Sequence, residues 1–173
     1  ALTHLSFSRA SSLMGTIPTE LGQLTALGDL CLGASSLTGS IPTHLGQLTA
    51  LTYLSFYRAS SLTGTIPTQL GQSTALTRLD FYYARSLTGT IPTHLGLLTV
   101  LTDLHFLSAR SLTGTIPTQL GQLTAPDTAG TVDGAQLPLV LQCLVAHWHH
   151  PDSHLGQLMA LTYCNDKNGS WGS

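Results

Sequence analysis

At 173 residues, 42% hydrophobic and 8% charged, the chain has enough apolar material for one ordinary domain and too much for a disordered one. Its formal charge is −2 and Lys and Arg number six together, so no basic field exists to hold a polyphosphate backbone, and no nucleic acid is expected as partner. A membrane-spanning helix needs about twenty consecutive apolar residues, whereas the longest candidate, Leu137 to Trp148, is shorter and carries Pro138, Gln142 and His147, so no membrane span is expected.

Ala1 to Arg9 has neither a basic start nor a long apolar run, so no secretory signal is visible; the expectation is a removed signal or an internal fragment. From there the chain repeats. Leu2, Leu27, Leu51, Leu76 and Leu101 open five units of 24 or 25 residues, each approximately L-x-x-L-x-[LF], a small-residue stretch, then S-L-T-G-T-I-P-T-x-L-G-Q-L-T-A. In the third unit Leu51, Leu54 and Phe56 are spaced by three and then two, and the alternation from Leu54 onward predicts a short strand with one apolar side. Ala59, Ser60 and Ser61 suit a turn, and Leu62 and Ile66 return to the interior. Pro67 stops an internal strand and pre-sets a turn or short helix. Gly71, in the middle of Pro67 to Leu76, argues for a tight 3₁₀-like coil rather than a long helix. Each unit is therefore expected to be one strand plus a compact return. No single unit can bury its apolar set, so stability must come from stacking, with strands of successive units parallel and about 4.8 Å apart.

The residues Leu27, Leu30, Leu32, Leu37, Gly39, Ile41, Pro42, Leu45 and Leu48 echo the consensus L-x-x-L-x-L-x-x-N-x-L-x-G-x-I-P-x-x-L-x-x-L-x-x. On this motif residues 1–125 resemble the plant-specific class of leucine-rich repeats. The resemblance implies an α/β solenoid, a right-handed superhelix with a parallel concave β-sheet and short 3₁₀ or turn returns. It implies binding rather than catalysis, since receptor-kinase ectodomains, polygalacturonase-inhibiting proteins and some ice-binding proteins belong to the class, and it favours an extracellular location. Two departures stand out. The family asparagine after the strand is missing, its slot holding Ser11, Ser35, Ser60, Arg85 and Arg110, so hydroxyls, the extra residue of the 25-residue units or water must replace its hydrogen bonds. No cysteine-bearing cap precedes the first unit, whose exposed apolar edge is expected of a fragment.

Pro126 stands where the next unit should open with leucine, and residues 126–153 read as an irregular insert or a cap, with Leu137 to Trp148 as a candidate apolar helix, or as a gene-model artefact. Residues 154–173 hold a partial degenerate repeat echoing Thr43 to Tyr53, then a polar tail with the sequon Asn168-Gly169-Ser170. Cys31, Cys143 and Cys164 allow at most one internal pair, Cys143 with Cys164 being the candidate. His147, His149, His150 and His154 cluster around Trp148, but only Cys143 and Asp152 accompany them and at no recognised spacing, so a solvated loop is expected and no metal or other cofactor.

Two faces are candidate sites. Between the core leucines the strand columns run His4, Asp29, Tyr53, Arg78, Asp103, then Ser6, Cys31, Ser55, Asp80, His105, then Ser8, Gly33, Tyr57, Tyr82, Leu107, then Arg9, Ala34, Arg58, Tyr83, Ser108. Tyrosine and arginine most often anchor interfaces. Tyr53, Tyr57, Arg58, Arg78, Asp80, Tyr82, Tyr83 and His105 are therefore the expected concave ligand face, for a protein, peptide or glycan. The alternative is an ice-binding surface of two threonine files, Thr63, Thr88 and Thr113 beside Thr65, Thr90 and Thr115, about 6.7 Å apart and repeating about every 4.8 Å; a third option is a structural fragment of a larger receptor ectodomain. An enzyme is not expected. Glu20 is the only glutamate, the aspartates are scattered, and neither a G-x-S-x-G elbow nor a glycine-rich phosphate loop occurs.

Overall fold

The computed structural model describes residues 1–123 apart from positions 9, 11, 34 and 35. The insert, the partial repeat, the candidate helix of 137–148, Cys143 with Cys164, the histidine cluster and the sequon lie outside the described residues. The strands are β1 (His4–Ser6), β2 (Met14–Thr16), β3 (Asp29–Cys31), β4 (Ser36–Ser40), β5 (Tyr53–Ser55), β6 (Leu62–Thr63), β7 (Arg78–Asp80), β8 (Gly89–Thr90), β9 (Asp103–His105) and β10 (Leu112–Thr113).

The odd-numbered strands form one five-stranded parallel sheet in the order β1-β3-β5-β7-β9. Register is strict: Leu5, Leu30, Leu54, Leu79 and Leu104 are successive partners, so each strand meets its own equivalent in the next rung. The returns are 3₁₀ helices, Thr19–Gln23, Thr43–Gln47, Thr68–Gln72, Thr93–Leu97 and Thr118–Gln122. The first four each follow a proline held near φ −65°, which places it in extended backbone just before the turn. The architecture is the expected leucine-rich-repeat solenoid, with one correction. The return is not a single coil, because its Thr-Gly-Thr run forms a second short strand. β2, β4 and β6 pair in parallel, β8 pairs with β10, and Thr65 bridges to Thr88 between the two groups. Sequence spacing hid these strands because each is only two to five residues long and lacks apolar alternation.

Threonine hydroxyls tie the rungs together in two files. Near the first sheet Thr52, Thr77 and Thr102 donate to the carbonyls of Gly28, Thr52 and Thr77 at 3.0–3.1 Å. In the second strands Thr38, Thr63, Thr88 and Thr113 donate to the carbonyls of Gly15, Gly39, Gly64 and Gly89 at 3.3–3.4 Å. Each contributes at most about 1 kcal/mol, but the pattern recurs from rung to rung. The missing asparagine is replaced at its own turn by main chain. The N–H of Arg58 donates to the Tyr82 carbonyl at 2.7 Å and that of Tyr83 to the Leu107 carbonyl at 2.8 Å. These turns place one residue of each unit from the third onward in the left-handed region, and Arg58, Tyr83 and Ser108 have φ of 59°, 60° and 62°.

The core fills the space between the five-stranded sheet, the second strands and the 3₁₀ returns. Leu54, Leu79 and Leu104, with Leu51, Leu76 and Leu101, are fully buried. So are Phe56 and Phe81, which with Phe106 form a stack of near-parallel rings, 5.2 Å between successive centroids and 8° and 3° between planes. One position breaks the pattern: Ser73 occupies the column of Leu48, Leu98 and Leu123, fully buried, and satisfies its hydroxyl by donating to the Leu45 carbonyl at 3.4 Å. At the first rung the apolar edge is open, with Leu2, Leu13 and Met14 exposed.

Candidate functional site

The exposed face of the five-stranded sheet holds the first candidate group, and each column behaves differently. At the start of the strands, register partners lie within ion-pair distance of one another. His4 Nε2 lies 2.8 Å from an Asp29 carboxylate oxygen, and Arg78 Nε lies 3.3 Å from one of Asp103. The Arg78 guanidinium also stands 5.8 Å from the centroid of Tyr53.

In the next column Ser55, Asp80 and His105 are partners on three consecutive rungs. Residue type alone places Asp80 among the ligand contacts, but its carboxylate serves its own turn. Oδ1 accepts the N–H of Tyr82 at 2.8 Å, as the hydroxyl of Ser55 accepts that of Tyr57 at 3.2 Å. This side-chain cap shapes the turn that follows each of these two strands. A nucleophile triad cannot form here. The aspartate stands between serine and histidine, leaving the imidazole two rungs of about 4.8 Å each from the hydroxyl it would deprotonate. Cys31, in the same column, is a free thiol whose pKa is raised, chiefly by burial and also by Asp29 and Asp80, against a hydrogen bond from Ser6; it is held in the protonated form.

At the turn end of the strands the tyrosines and arginines converge. Tyr57 and Tyr82 stack at 5.3 Å with planes 10° apart, and Tyr83 meets Tyr82 edge-on at 4.5 Å and 68°. Arg58 lies 5.2 Å from the Tyr57 centroid and 6.0 Å from that of Tyr83, and Arg85 lies 4.9 Å from Tyr83 on its own rung. Local backbone produces this convergence, because Arg58 and Tyr83 are two of the left-handed turn residues. The Tyr82 phenol is held above its ordinary pKa by desolvation among these rings, by its hydrogen bond with Tyr83 and by the neighbouring phenols, with Arg58 opposing; it stays a neutral donor. Six of the eight residues expected on this face therefore make ring contacts with one another: Tyr53 with Arg78, and Tyr57, Arg58, Tyr82 and Tyr83 together. Asp80 serves the turn, and His105 is half-buried beside it in register. Residue type and column position do not single out Arg85, which reads in the sequence only as a filler of the asparagine slot; its place two residues after Tyr83 is the available signal.

No protein-family model and no curated protein matches the chain, and the likeness is to solved structures. A plant peptide hormone receptor, solved in complex with its peptide, is 40% identical over 64% of this chain and 17% of its own, with a TM-score of 0.60. The Arabidopsis receptor kinase HAESA, solved with the peptide hormone IDA and a co-receptor, is 33% identical over 65% and 18%, at 0.57. A plant ice-binding protein is 35% identical over 69% and 38%, at 0.62.

The chain is a plant-type leucine-rich-repeat protein.

It spans less than a fifth of the length of either receptor chain. The plant-type repeat also carries the second candidate face, and here the geometry differs from expectation. Thr63, Thr65, Thr88, Thr90, Thr113 and Thr115 are all exposed. They do not form a rectangular lattice. Thr65 pairs with Thr88 and Thr90 with Thr113, so the second threonine of one rung stands beside the first of the next. The glycine between them is the cause. Gly64, Gly89 and Gly114 have φ of 77–80°, which breaks the alternation of a regular strand. The hydroxyls of Thr63, Thr88 and Thr113 turn to the preceding rung, whereas the methyls of Thr65 and Thr90 turn to the next, each 2.8 Å from where a Cβ would stand on Gly89 or Gly114. The files are oblique and interlocked. Among the described residues no His, Cys, Asp and Glu group could hold a metal ion, and no helix is long and apolar enough to cross a membrane.

Proposed function

We propose that this repeat protein is a non-catalytic recognition scaffold that binds a protein, peptide or glycan on the exposed face of its five-stranded sheet. The observation that carries the reading is the aromatic platform of Tyr57, Tyr82 and Tyr83 with Arg58 and Arg85 against it. A bulky aromatic in the left-handed region costs of order 1 kcal/mol or more, and Tyr83 holds it at φ 60° within this cluster. Solved neighbours caught with peptide hormones support the same use of the fold. Screened against peptide and glycan arrays, the chain should give ligands that Tyr57→Ala/Tyr82→Ala/Tyr83→Ala loses by about thirty-fold or more, the effect of removing one interface anchor of about 2 kcal/mol. None of the three rings is buried in the core, so the variant should keep a cooperative unfolding transition. Undiminished affinity in that folded variant would remove the platform from the binding surface.

A second reading, favoured by the likeness to the ice-binding protein and by six exposed threonines, is adsorption to ice through the second strands. Its measure is thermal hysteresis, which Thr65→Lys/Thr90→Lys/Thr115→Lys should abolish. Hysteresis that is absent from the parent chain, or that survives the three lysines, eliminates this reading.

A further inference from the structure

Three of the five tyrosines stand together at the turn end of the strands, and the fold holds two of them, Tyr57 and Tyr82, face to face from adjacent rungs. The pairing begins in the main chain. Ser55 and Asp80 are register partners, and each side chain caps its own turn by accepting the N–H of the tyrosine two residues on, Tyr57 at 3.2 Å and Tyr82 at 2.8 Å. The two turns are also bonded directly, because the N–H of Arg58, next in the chain after Tyr57, donates to the Tyr82 carbonyl at 2.7 Å. Matching turns one rung apart, about 4.8 Å, give both side chains the same heading, and the rings stack with centroids 5.3 Å apart and planes 10° apart. Neither ring belongs to the core. Tyr57 is exposed and Tyr82 half-buried, so a dissolved oxidant reaches both, and their side-chain torsions are free to close the remaining gap.

Two phenols held in this way share a reaction that an isolated phenol lacks. Loss of one electron and one proton turns each into a phenoxyl radical, whose unpaired electron is spread onto the Cε carbons beside the oxygen-bearing carbon. Two such radicals side by side couple, Cε to Cε, and each coupled carbon then passes its hydrogen to its own oxygen, so that both phenols are restored. The two electrons and two protons released reduce one hydrogen peroxide to two waters. The other tyrosines on the sheet are placed less well for it. The register partners of Tyr53 are Asp29 and Arg78, neither a phenol. Tyr83 meets Tyr82 edge-on, with planes 68° apart, and a bond between these chain neighbours would have to close through a single trans peptide.

We propose that Tyr57 and Tyr82 are the site of an oxidative cross-link, a Cε–Cε bond made by a peroxide-driven one-electron oxidant that joins the third unit covalently to the fourth across the exposed face of the sheet. The bond closes the chain between residues 57 and 82 into a loop, which restricts the unfolded state and holds the two rungs together. This inference does not depend on what the face binds.

The test treats the full chain, kept dilute so that rings of one molecule meet first, with a haem peroxidase and limiting hydrogen peroxide, at a dose that couples tyrosine amide in a parallel tube. A monomer lighter by two hydrogens should appear, with the blue fluorescence of a biphenol. Trypsin cuts after Arg9, Arg58, Arg78 and Arg85, so the bond should join peptide 10–58 to peptide 79–85. Phenylalanine keeps the ring and removes the oxidisable hydroxyl. Tyr57→Phe and Tyr82→Phe should therefore each lose the joined peptide, whereas Tyr53→Phe and Tyr83→Phe should keep it. Absence of the joined peptide at that dose, its survival in Tyr57→Phe or Tyr82→Phe, or its loss in Tyr53→Phe or Tyr83→Phe would each overturn the proposal. So would a bond confined to peptide 79–85, or covalent dimers in place of the lighter monomer.

Discussion

Gly71→Ala should cost the protein about 3 kcal/mol or more, although it adds a single methyl. A Cβ at this position would collide with the carbonyl oxygen of His94 on the next rung and stand 2.9 Å from its carbonyl carbon and 3.0 Å from its Cβ. The first two are main-chain atoms and the third is fixed to them, so no rotamer change relieves the contact. Nor can the rungs separate locally, because the strand pairings and the threonine ladders set their spacing on either side of the return. The same approach recurs at Gly22 against His44, Gly46 against Gln69 and Gly96 against Gln119. In a stack where each unit contacts only its neighbours, the damage should fall between the third and fourth units and broaden or split the unfolding transition. Urea unfolding followed by circular dichroism measures this, with Gly121→Ala as control: no described residue lies within 4 Å of its Cβ, and its change should be within about 1 kcal/mol. Equal stability of the two variants would show that the rungs are not in contact at this glycine.

Phe81→Ala should be destabilising by about 3–5 kcal/mol, the range for deleting a buried phenyl. Phe81 is fully buried and lies in the middle of the aromatic stack, 5.2 Å from both Phe56 and Phe106, so its removal strips a partner from two neighbours and leaves a void that the stiff rungs cannot close. Phe81→Leu should cost under about 1.5 kcal/mol by comparison, since Leu32 fills the same slot of the second unit while buried. Thermal melts of the two variants give the difference. A loss below about 1 kcal/mol for the alanine, on the order of a surface change, would mean that the return side repacks around the vacancy.

The two faces differ in how much of them the repeat reveals. The strand face depends on which residues share a column, and equal unit lengths bring Tyr57 beside Tyr82 and Arg78 beside Asp103, as simple stacking requires. The exposed arginines are harder to read. Arg85 and Arg110 stand in the slot of a structural asparagine, so a consensus comparison registers them as losses, and only the ion-pair distances show that among the described residues no carboxylate pairs with them. At Asp80 the sequence shows only an acid on the strand face, and the structure adds that its Oδ1 caps the following turn by accepting the Tyr82 N–H. Regular spacing along the chain predicts rectangular threonine files. The left-handed glycine between each pair makes them oblique.

Period, core columns and the site of each return were already determined by the amino-acid order, because stacking coils of nearly equal length makes every residue meet its own equivalent, and leucine against leucine is a one-dimensional match. The tertiary structure decided whatever relates unlike positions on neighbouring rungs: the pairing of the second strands, the slant of the threonine pairs, the main-chain bonds that replace the asparagine and the ion pairs among the described residues. Those relations depend on how far one coil is offset over the next and on the sign of φ at a few turn residues, and neither is written in the spacing of leucines.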